Sequence, residues 1–458
     1  LYLTDRSAPA HAGTDQERRR GPGRKVAPVV LVLGTVSLIT DISSEMVTAV
    51  LPLYLVTTLG FSPLGFGTLD GVYNGVSALV QLTGGHLADR IRNHKLLAGL
   101  GYGLSALCKP LLLLASSIGT LGAVLAVDRT GKGLRTAPRD AMISLSTPAG
   151  KQGRAFGVHR AMDTTGAMLG PLAAFLILRT AVDGYDAVFG VSACVAVLGV
   201  LVLVLFVPGR ERGAGRRGAG QAGEPSASGD ARAAATATDS DSAQDDAAAS
   251  DETQAAPGAK QPVRVREALA LLRIPRLRAL AGCAALLGLT TVSDAFVYLL
   301  LQRRAGIAEE WFPLLPLGTA VVFLLLAVPV GALADRIGRR TVFLAGHAVL
   351  LTAYALLLWA PDTPALPCLV LGLHGVFYAA TDGVLPAALA AVVPGHLRAS
   401  GLAIVGTSQA LARFCCSLAF GAAWTMWGDG PALAGSAVGL LCCAAVAGVV
   451  LRPADGTR

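Results

Sequence analysis

Asp128-Arg-Thr-Gly-Lys-Gly-Leu-Arg-Thr-Ala-Pro-Arg-Asp140 carries six charges in thirteen residues and follows directly on an apolar run, residues 118–127. Read as a helix, Asp128, Lys132, Arg135 and Arg139 fall at i, i+4, i+7 and i+11 and share one face. Read as a loop that starts after Val127, it leaves an apolar run of about ten residues, too short to cross a bilayer. The helical reading therefore goes with a membrane span. An ionised side chain in a bilayer costs at least about 2.5–3.5 kcal/mol, so such a face must point at partners or at a wet cavity.

The rest of the chain agrees with a membrane setting. Its 458 residues are 53% hydrophobic and 15% charged, with a mean hydropathy of +0.58. That composition is too apolar for a water-soluble protein of this length. The net charge of +8 is expected to reside in basic loops, not in a nucleic-acid site, because no basic patch is interleaved with aromatics.

Apolar runs long enough to span fall at 27–57, 66–88, 96–116, 119–142, 155–178 and 186–207. A second set of six follows at 278–301, 312–334, 342–360, 366–390, 400–421 and 431–451. The expected fold is an all-α membrane protein of twelve transmembrane helices in two six-helix bundles. The expected units are a tail, 1–26; a first bundle, 27–208; a linker, 209–276; a second bundle, 277–451; and a tail, 452–458. The linker is rich in Ala, Gly, Ser and Asp and cannot bury a core, so disorder is expected there. No short apolar core with a cleavage site precedes the first span, which is expected to act as an uncleaved anchor. Loops alternate between basic and nearly neutral or acidic. By the positive-inside rule both termini are then cytoplasmic, in a multi-pass protein of the cell (inner) membrane.

The two halves repeat. Gly85-His-Leu-Ala-Asp-Arg-Ile-Arg92 follows the second span, and Gly331-Ala-Leu-Ala-Asp-Arg-Ile-Gly338 follows the eighth, with six of eight positions identical. Repeated halves around a midplane site are the plan of many secondary transporters. These motifs resemble the Gly-x-Leu-Ala-Asp-Arg-x-Gly-Arg-Arg loop of the major facilitator superfamily, the second copy more fully, since Arg92 stands where Gly is usual. Arg129 and Gly133 are similar to that superfamily's fourth-span Arg-x-x-x-Gly. Gly166-Ala-Met-Leu-Gly-Pro171 is similar to the fifth-span Gly-x-x-x-Gly-Pro of exporters that run as antiporters. Thr40-Asp-Ile-Ser-Ser-Glu-Met46 and the 128–140 stretch look like a bacterial branch labelled as efflux or metal-resistance transporters.

The resemblance implies a secondary active transporter, most simply a proton-coupled exporter, acting as a monomer on a small solute in the lipid bilayer. Its gating loops are Gly85, Asp89 and Arg90, and Gly331, Asp335, Arg336, Arg339 and Arg340. A carboxylate there can latch onto a helix N-terminus or a neighbouring Arg, and the glycines permit close helix approach. Asp41 and Glu45 lie one turn apart, and two carboxylates in low dielectric resist joint ionisation. They are candidates for proton coupling, for cation binding, or for pairing with the basic face of span four. Asp163 and His159, at i and i−4, are further proton-coupling candidates. Lys109, Asp128, Arg129, Lys132, Arg135, Arg139, Asp294, Asp382 and Arg413 are candidates for substrate contact. Lys109 is expected to pair with a carboxylate. The three cations Lys132, Arg135 and Arg139 would grip an organic or phosphorylated anion, unless Asp41, Glu45, Asp128 and Asp163 neutralise them. A further alternative is a non-transporting sensor built around the linker.

Other chemistries find no support in the sequence. There is no phosphate-binding Gly-x-x-x-x-Gly-Lys-Ser/Thr loop, no Gly-x-Ser-x-Gly elbow and no Cys or His spacing for a metal, so neither a cofactor nor an enzyme is expected. The eight cysteines lie in apolar runs and are expected to act as small buried hydrophobes.

Overall fold

A computed structural model of the chain describes residues 27–90, 93–148, 152–207, 273–361, 363–382, 384–390, 393 and 398–451. Both tails and nearly all of the linker lie outside them. In the first half, α1 (Pro28–Leu53) continues as a π-helical turn (Tyr54–Thr58) and is followed by α2 (Pro63–Arg90), α3 (His94–Leu114), α4 (Ile118–Leu145), α5 (Gln152–Thr180) and α6 (Gly184–Phe206). In the second half come α7 (Pro275–Gly288), α8 (Asp294–Ala305), a 3₁₀ turn (Glu309–Trp311), α9 (Leu314–Ile337), α10 (Arg339–Trp359), α11 (Leu366–Thr381), α12 (Val384–Ala390), α13 (Arg398–Trp427) and α14 (Asp429–Val450).

The charged stretch is helical. Ser117 accepts from the Thr120 backbone N–H at 3.2 Å, and Thr120 Oγ1 accepts from the Ser117 N–H, also at 3.2 Å. This reciprocal cap starts α4, which runs unbroken through Pro138 to Leu145. One of the expected single spans is instead built from two helical pieces. The seventh breaks at 289–293, where the Thr290 and Thr291 hydroxyls both bond the Leu287 carbonyl (3.1 and 2.9 Å). The Val292 N–H, freed by the break, donates to Tyr354 Oη of α10 at 2.9 Å. In the expected tenth span, α11 and α12 are described up to Asp382 and from Val384, and Asp382 keeps helical backbone with its N–H on the Tyr378 carbonyl at 2.9 Å. Among the described residues, the break in the seventh span is therefore the departure from an unbroken twelve-helix plan.

Among the described residues, seven helices are long and apolar enough to cross a membrane by length and composition. The outer surface carries apolar side chains that only lipid would cover, among them Leu114 (81% exposed), Leu325 (70%) and Val328 (68%). Cys194, Cys368, Cys415 and Cys442 are exposed as well, which corrects their expected burial. Inside, one buried apolar cluster runs from Met46, Leu69 and Phe189 in the first half to Phe296, Phe420 and Leu440 in the second.

Small residues set the helix spacing. A Cβ on Gly166 would lie 2.5 Å from the Leu38 carbonyl oxygen, and one on Gly170 would lie 2.7 Å from Glu45 Cβ. The glycine pair of α5 thus lets its backbone rest on the carboxylate-bearing turns of α1.

The halves meet at the end of the bundle that carries the neutral loops. There Phe66 packs edge-on against Phe296 at 4.8 Å, and Phe175 lies tilted against Trp311 at 5.0 Å. Tyr185 Oη donates to Glu309 Oε2 at 2.9 Å. Thr425 Oγ1 accepts from the Leu64 N–H at 3.0 Å, where α2 starts beside the end of α13. A Cβ on Gly421 would strike the Pro63 carbonyl oxygen at 2.5 Å, so this seam admits no side chain.

Candidate functional site

The charges of α4 are distributed among its neighbours as a ladder. Asp128 accepts four hydrogen bonds: from Ser105 Oγ (2.6 Å) and Lys109 Nζ (3.1 Å) on Oδ1, and from Arg129 Nε (3.1 Å) and Nη2 (2.5 Å) on Oδ2. Arg129 also donates to Tyr73 Oη at 2.8 Å, and its guanidinium lies 4.1 Å from the centre of that ring. Lys109, Asp128 and Arg129 are all buried, so this knot ties α2, α3 and α4 together away from water. It is held by charge-assisted bonds.

Because α1 and α4 run antiparallel, the carboxylates of α1 meet the cations of α4 in reverse order. Asp41 Oδ1 accepts from Arg135 Nη2 at 3.2 Å, while the Arg135 guanidinium sits 4.4 Å from the centre of the Tyr102 ring. One turn on, Glu45 Oε1 lies 3.5 Å from Lys132 Nζ. This pair is the open one: its side chains are 26% and 37% exposed, against 10% and 4% for Asp41 and Arg135. Further along, Arg139 donates to Asp140 (3.1 Å) and Ser37 (3.2 Å) and reaches Asp163 at 3.5 Å. Arg160 reaches the other Asp163 oxygen at 3.5 Å. His159 does not pair with Asp163 as its spacing suggested. Its Nε2 bonds Ser37 Oγ at 3.1 Å, because the buried ring turns toward α1.

Lys132, Arg135 and Arg139 are therefore each engaged by a carboxylate. That leaves the Lys132–Glu45 pair as the reachable part of this face.

In the second half, Asp294 opens α8 immediately after the break in the seventh span. Its Oδ1 accepts from Tyr378 Oη (2.6 Å) and binds His374 Nε2 (3.0 Å). Arg413 and Asp382 both line a cavity of about 90 Å³ together with Thr291, His347 and Gln409. Among the described residues, neither has a hydrogen-bond or ion-pair partner. Sequence reasoning missed Asp70. This carboxylate of α2 accepts from Ser417 Oγ of α13 at 2.5 Å, across the seam between the halves. A lone acid near the start of a span was the only signal, and its partner is 347 positions away.

The gating residues fare unevenly. Gly85, Asp89 and Arg90 belong to α2, but their side chains lie outside those described. Asp335 pairs with Arg339 at 3.3 Å, across the turn at Gly338 (φ +99°), rather than with another span. Arg340 donates to the Gly448 carbonyl of α14. Arg336 is exposed. A Cβ on Gly331 would meet nothing within 4 Å, so close helix approach is not its role here.

Two helical halves, closed at one end and holding buried ionic groups in their facing spans, define a membrane carrier. The family model described as Major Facilitator Superfamily matches residues 33–322 and 314–458, and the chain belongs to that superfamily of transporters. It is 26% identical over 426 residues to an uncharacterized MFS-type transporter of Methanocaldococcus jannaschii, covering 91% of this chain and 94% of that one. An uncharacterized Mycobacterium tuberculosis protein is 32% identical over 162 residues, 35% of this chain and 39% of that protein. Among solved structures, the nucleoside transporter NupG superposes with a TM-score of 0.69 at 13% identity, over 93% of this chain and all (100%) of that one. A bacterial homologue of the human lysosomal transporter Spinster superposes with a TM-score of 0.68 at 14% identity, over 95% of this chain and 100% of that one. These likenesses establish the fold. The chain is thus a multi-pass transporter and not an enzyme.

Proposed function

We propose that this transporter is proton-coupled and exports a small solute by alternating access, from the cell membrane, with both termini in the cytoplasm. The observation that carries the reading is the contrast within the α1–α4 ladder. Asp41 is locked to Arg135 in a buried pair, whereas Glu45 and Lys132 stand 3.5 Å apart and partly exposed. A carboxylate in a loose, water-reachable pair is placed to gain and lose a proton as its surroundings open and close. The Gly166–Gly170 contact then couples it to packing, since Glu45 Cβ lies directly under Gly170. The closed seam lies at the neutral-loop end, which in this orientation faces away from the cytoplasm and suits loading for export from the cytoplasmic side.

The test has two parts. Cells lacking or overexpressing the gene are screened for altered tolerance to metals, antibiotics and organic acids. A solute so found is then followed in proteoliposomes under an imposed pH gradient. Glu45→Gln is expected to abolish gradient-driven flux while leaving exchange of solute against solute. If Asp41→Asn, Glu45→Gln and Asp163→Asn all keep gradient-driven flux, the coupling assignment is wrong.

A further inference from the structure

The helix break of the seventh span ends at a cavity. Thr291 comes from that break and Asp382 from the end of α11, and both line the same space of about 90 Å³, several times the room needed by one water. Interrupted spans whose irregular backbone borders a cavity are where membrane carriers hold their solutes. The remaining polar wall is His347 of α10 with Gln409 and Arg413 of α13, one turn apart.

The charges on this wall are unusual for the chain. Every cation of the α4 ladder has a carboxylate in contact. Arg413 has none among the described residues. The acids around it are Asp294, Asp382 and Asp70. Asp294 is held by His374 and Tyr378, and Asp70 by Ser417. Only Asp382 is left without a hydrogen-bond partner among the described residues, and it faces the same cavity as Arg413 without forming an ion pair. Opposite charges that share a cavity yet stay apart call for something between them. A lone anion would satisfy Arg413 but meet an excess of carboxylates. A lone cation would pair with Asp382 but leave Arg413 without a group in direct contact. His347 adds an acceptor for the ammonium side: its Nδ1 lies 2.8 Å from the Phe343 carbonyl oxygen, which can only accept, so in the neutral ring Nδ1 carries the proton and Nε2 keeps a lone pair.

From this we infer that the cavity binds a small zwitterion, with a carboxylate on Arg413 and Gln409 and an ammonium on Asp382. The inference rests on the reading of the chain as a solute carrier and supplies the substrate class for it. Ser417, which holds Asp70 in the seam, lies one turn beyond Arg413 on α13. Occupancy of the cavity is thereby set directly beneath the closed end.

The test is equilibrium binding to the full-length protein in nanodiscs with no gradient, so a wrong assignment of proton coupling leaves it unaffected. The probes are γ-aminobutyrate and β-alanine as zwitterions, with butyrate and butylamine as single-charge analogues. The zwitterions are expected to bind at least about tenfold more tightly than either analogue. Arg413→Gln should bring γ-aminobutyrate down to the level of butylamine, Arg413→Lys should restore part of the difference, and Asp382→Asn should bring it down to the level of butyrate. Size-exclusion profiles check that each variant is folded, and Arg413→Lys takes over the test where Arg413→Gln is not. Equal or tighter binding of butyrate or butylamine, no binding by any probe, or zwitterion affinity unchanged in the folded variants overturns the inference. Flux driven by a pH gradient that no zwitterion competes for would leave the coupling proposal standing and remove this one.

Discussion

Replacing Asp128 with Asn tests whether the knot of α2, α3 and α4 is held by charge. The carboxylate accepts four hydrogen bonds, two on each oxygen. Asn keeps the shape and one acceptor oxygen, which can still serve Ser105 and Lys109. Its amide nitrogen then faces the Nε and Nη2 donors of Arg129, turning two charge-assisted bonds into donor–donor contacts. At about 1.5–3 kcal/mol for each bond to a charged group, the loss is about 3–6 kcal/mol. That agrees with the roughly 3–5 kcal/mol for breaking a buried ion pair from one side. The local charge offers a second check. Lys109, Arg129 and Asp128 sum to +1, Asp128→Asn raises this to +2, and adding Lys109→Met restores +1. The double variant should therefore recover at least about 1.5 kcal/mol of the loss. Equilibrium unfolding in mixed micelles measures both. A cost below about 1 kcal/mol for Asp128→Asn, or a double variant no more stable than the single one, would refute the view that charge balance holds this knot.

Gly170→Ala places a methyl group 2.7 Å from Glu45 Cβ and 2.9 Å from the Ile42 carbonyl oxygen; it should cost about 1–3 kcal/mol by overpacking. Gly157→Ala on the same helix meets nothing within 4 Å and should be neutral or stabilising in the same thermal-unfolding assay. Arg135→Lys keeps the charge facing Asp41 but loses the planar stack on Tyr102, at 4.4 Å, and should cost about 0.5–2 kcal/mol. Ser417→Ala removes the 2.5 Å bond to Asp70 and should loosen the seam, so that a single cysteine at Thr425 reacts several-fold faster with an impermeant thiol reagent.

The sequence made α4 legible because its charges repeat at i, i+4 and i+7 on a run otherwise too short to span, and such a pattern has no use in a loop. The acids of α1 were legible for the same reason. The break in the seventh span was not, since an apolar count over 278–301 takes no account of hydroxyls. Thr290 and Thr291 bond back to Leu287 and compete with the helix for its carbonyl. His159 and Asp163 show the limit of spacing rules: four residues put both on one face, but which neighbour each reaches depends on the packing of α1. Gly331 shows the limit of a motif, because a glycine that fits the pattern need not lie against another helix.

Alternating access requires that something differ between the halves when they rock, and the ionic groups of this chain fall into two kinds on that criterion. Bonds made within one half move with it as a body. Asp128, Asp41 and Asp163 all find their partners within the first half, so their charge state changes the fit of α1, α4 and α5 before it changes the angle between halves. Asp70 bonds Ser417 of the other half, so opening the seam must break that bond. Under the proposed coupling, Glu45 reaches the seam only through helix packing, and the route on hand is α5: Gly170 rests on Glu45, and Phe175, little more than one turn further on, packs against Trp311 of the second half at 5.0 Å. A solute on Arg413 sits one turn from Ser417 and needs no such relay. Under the two proposals, proton and solute act on the same closed end from opposite halves, one through α5 and the other through α13, which is the geometry an exchange of one for the other demands.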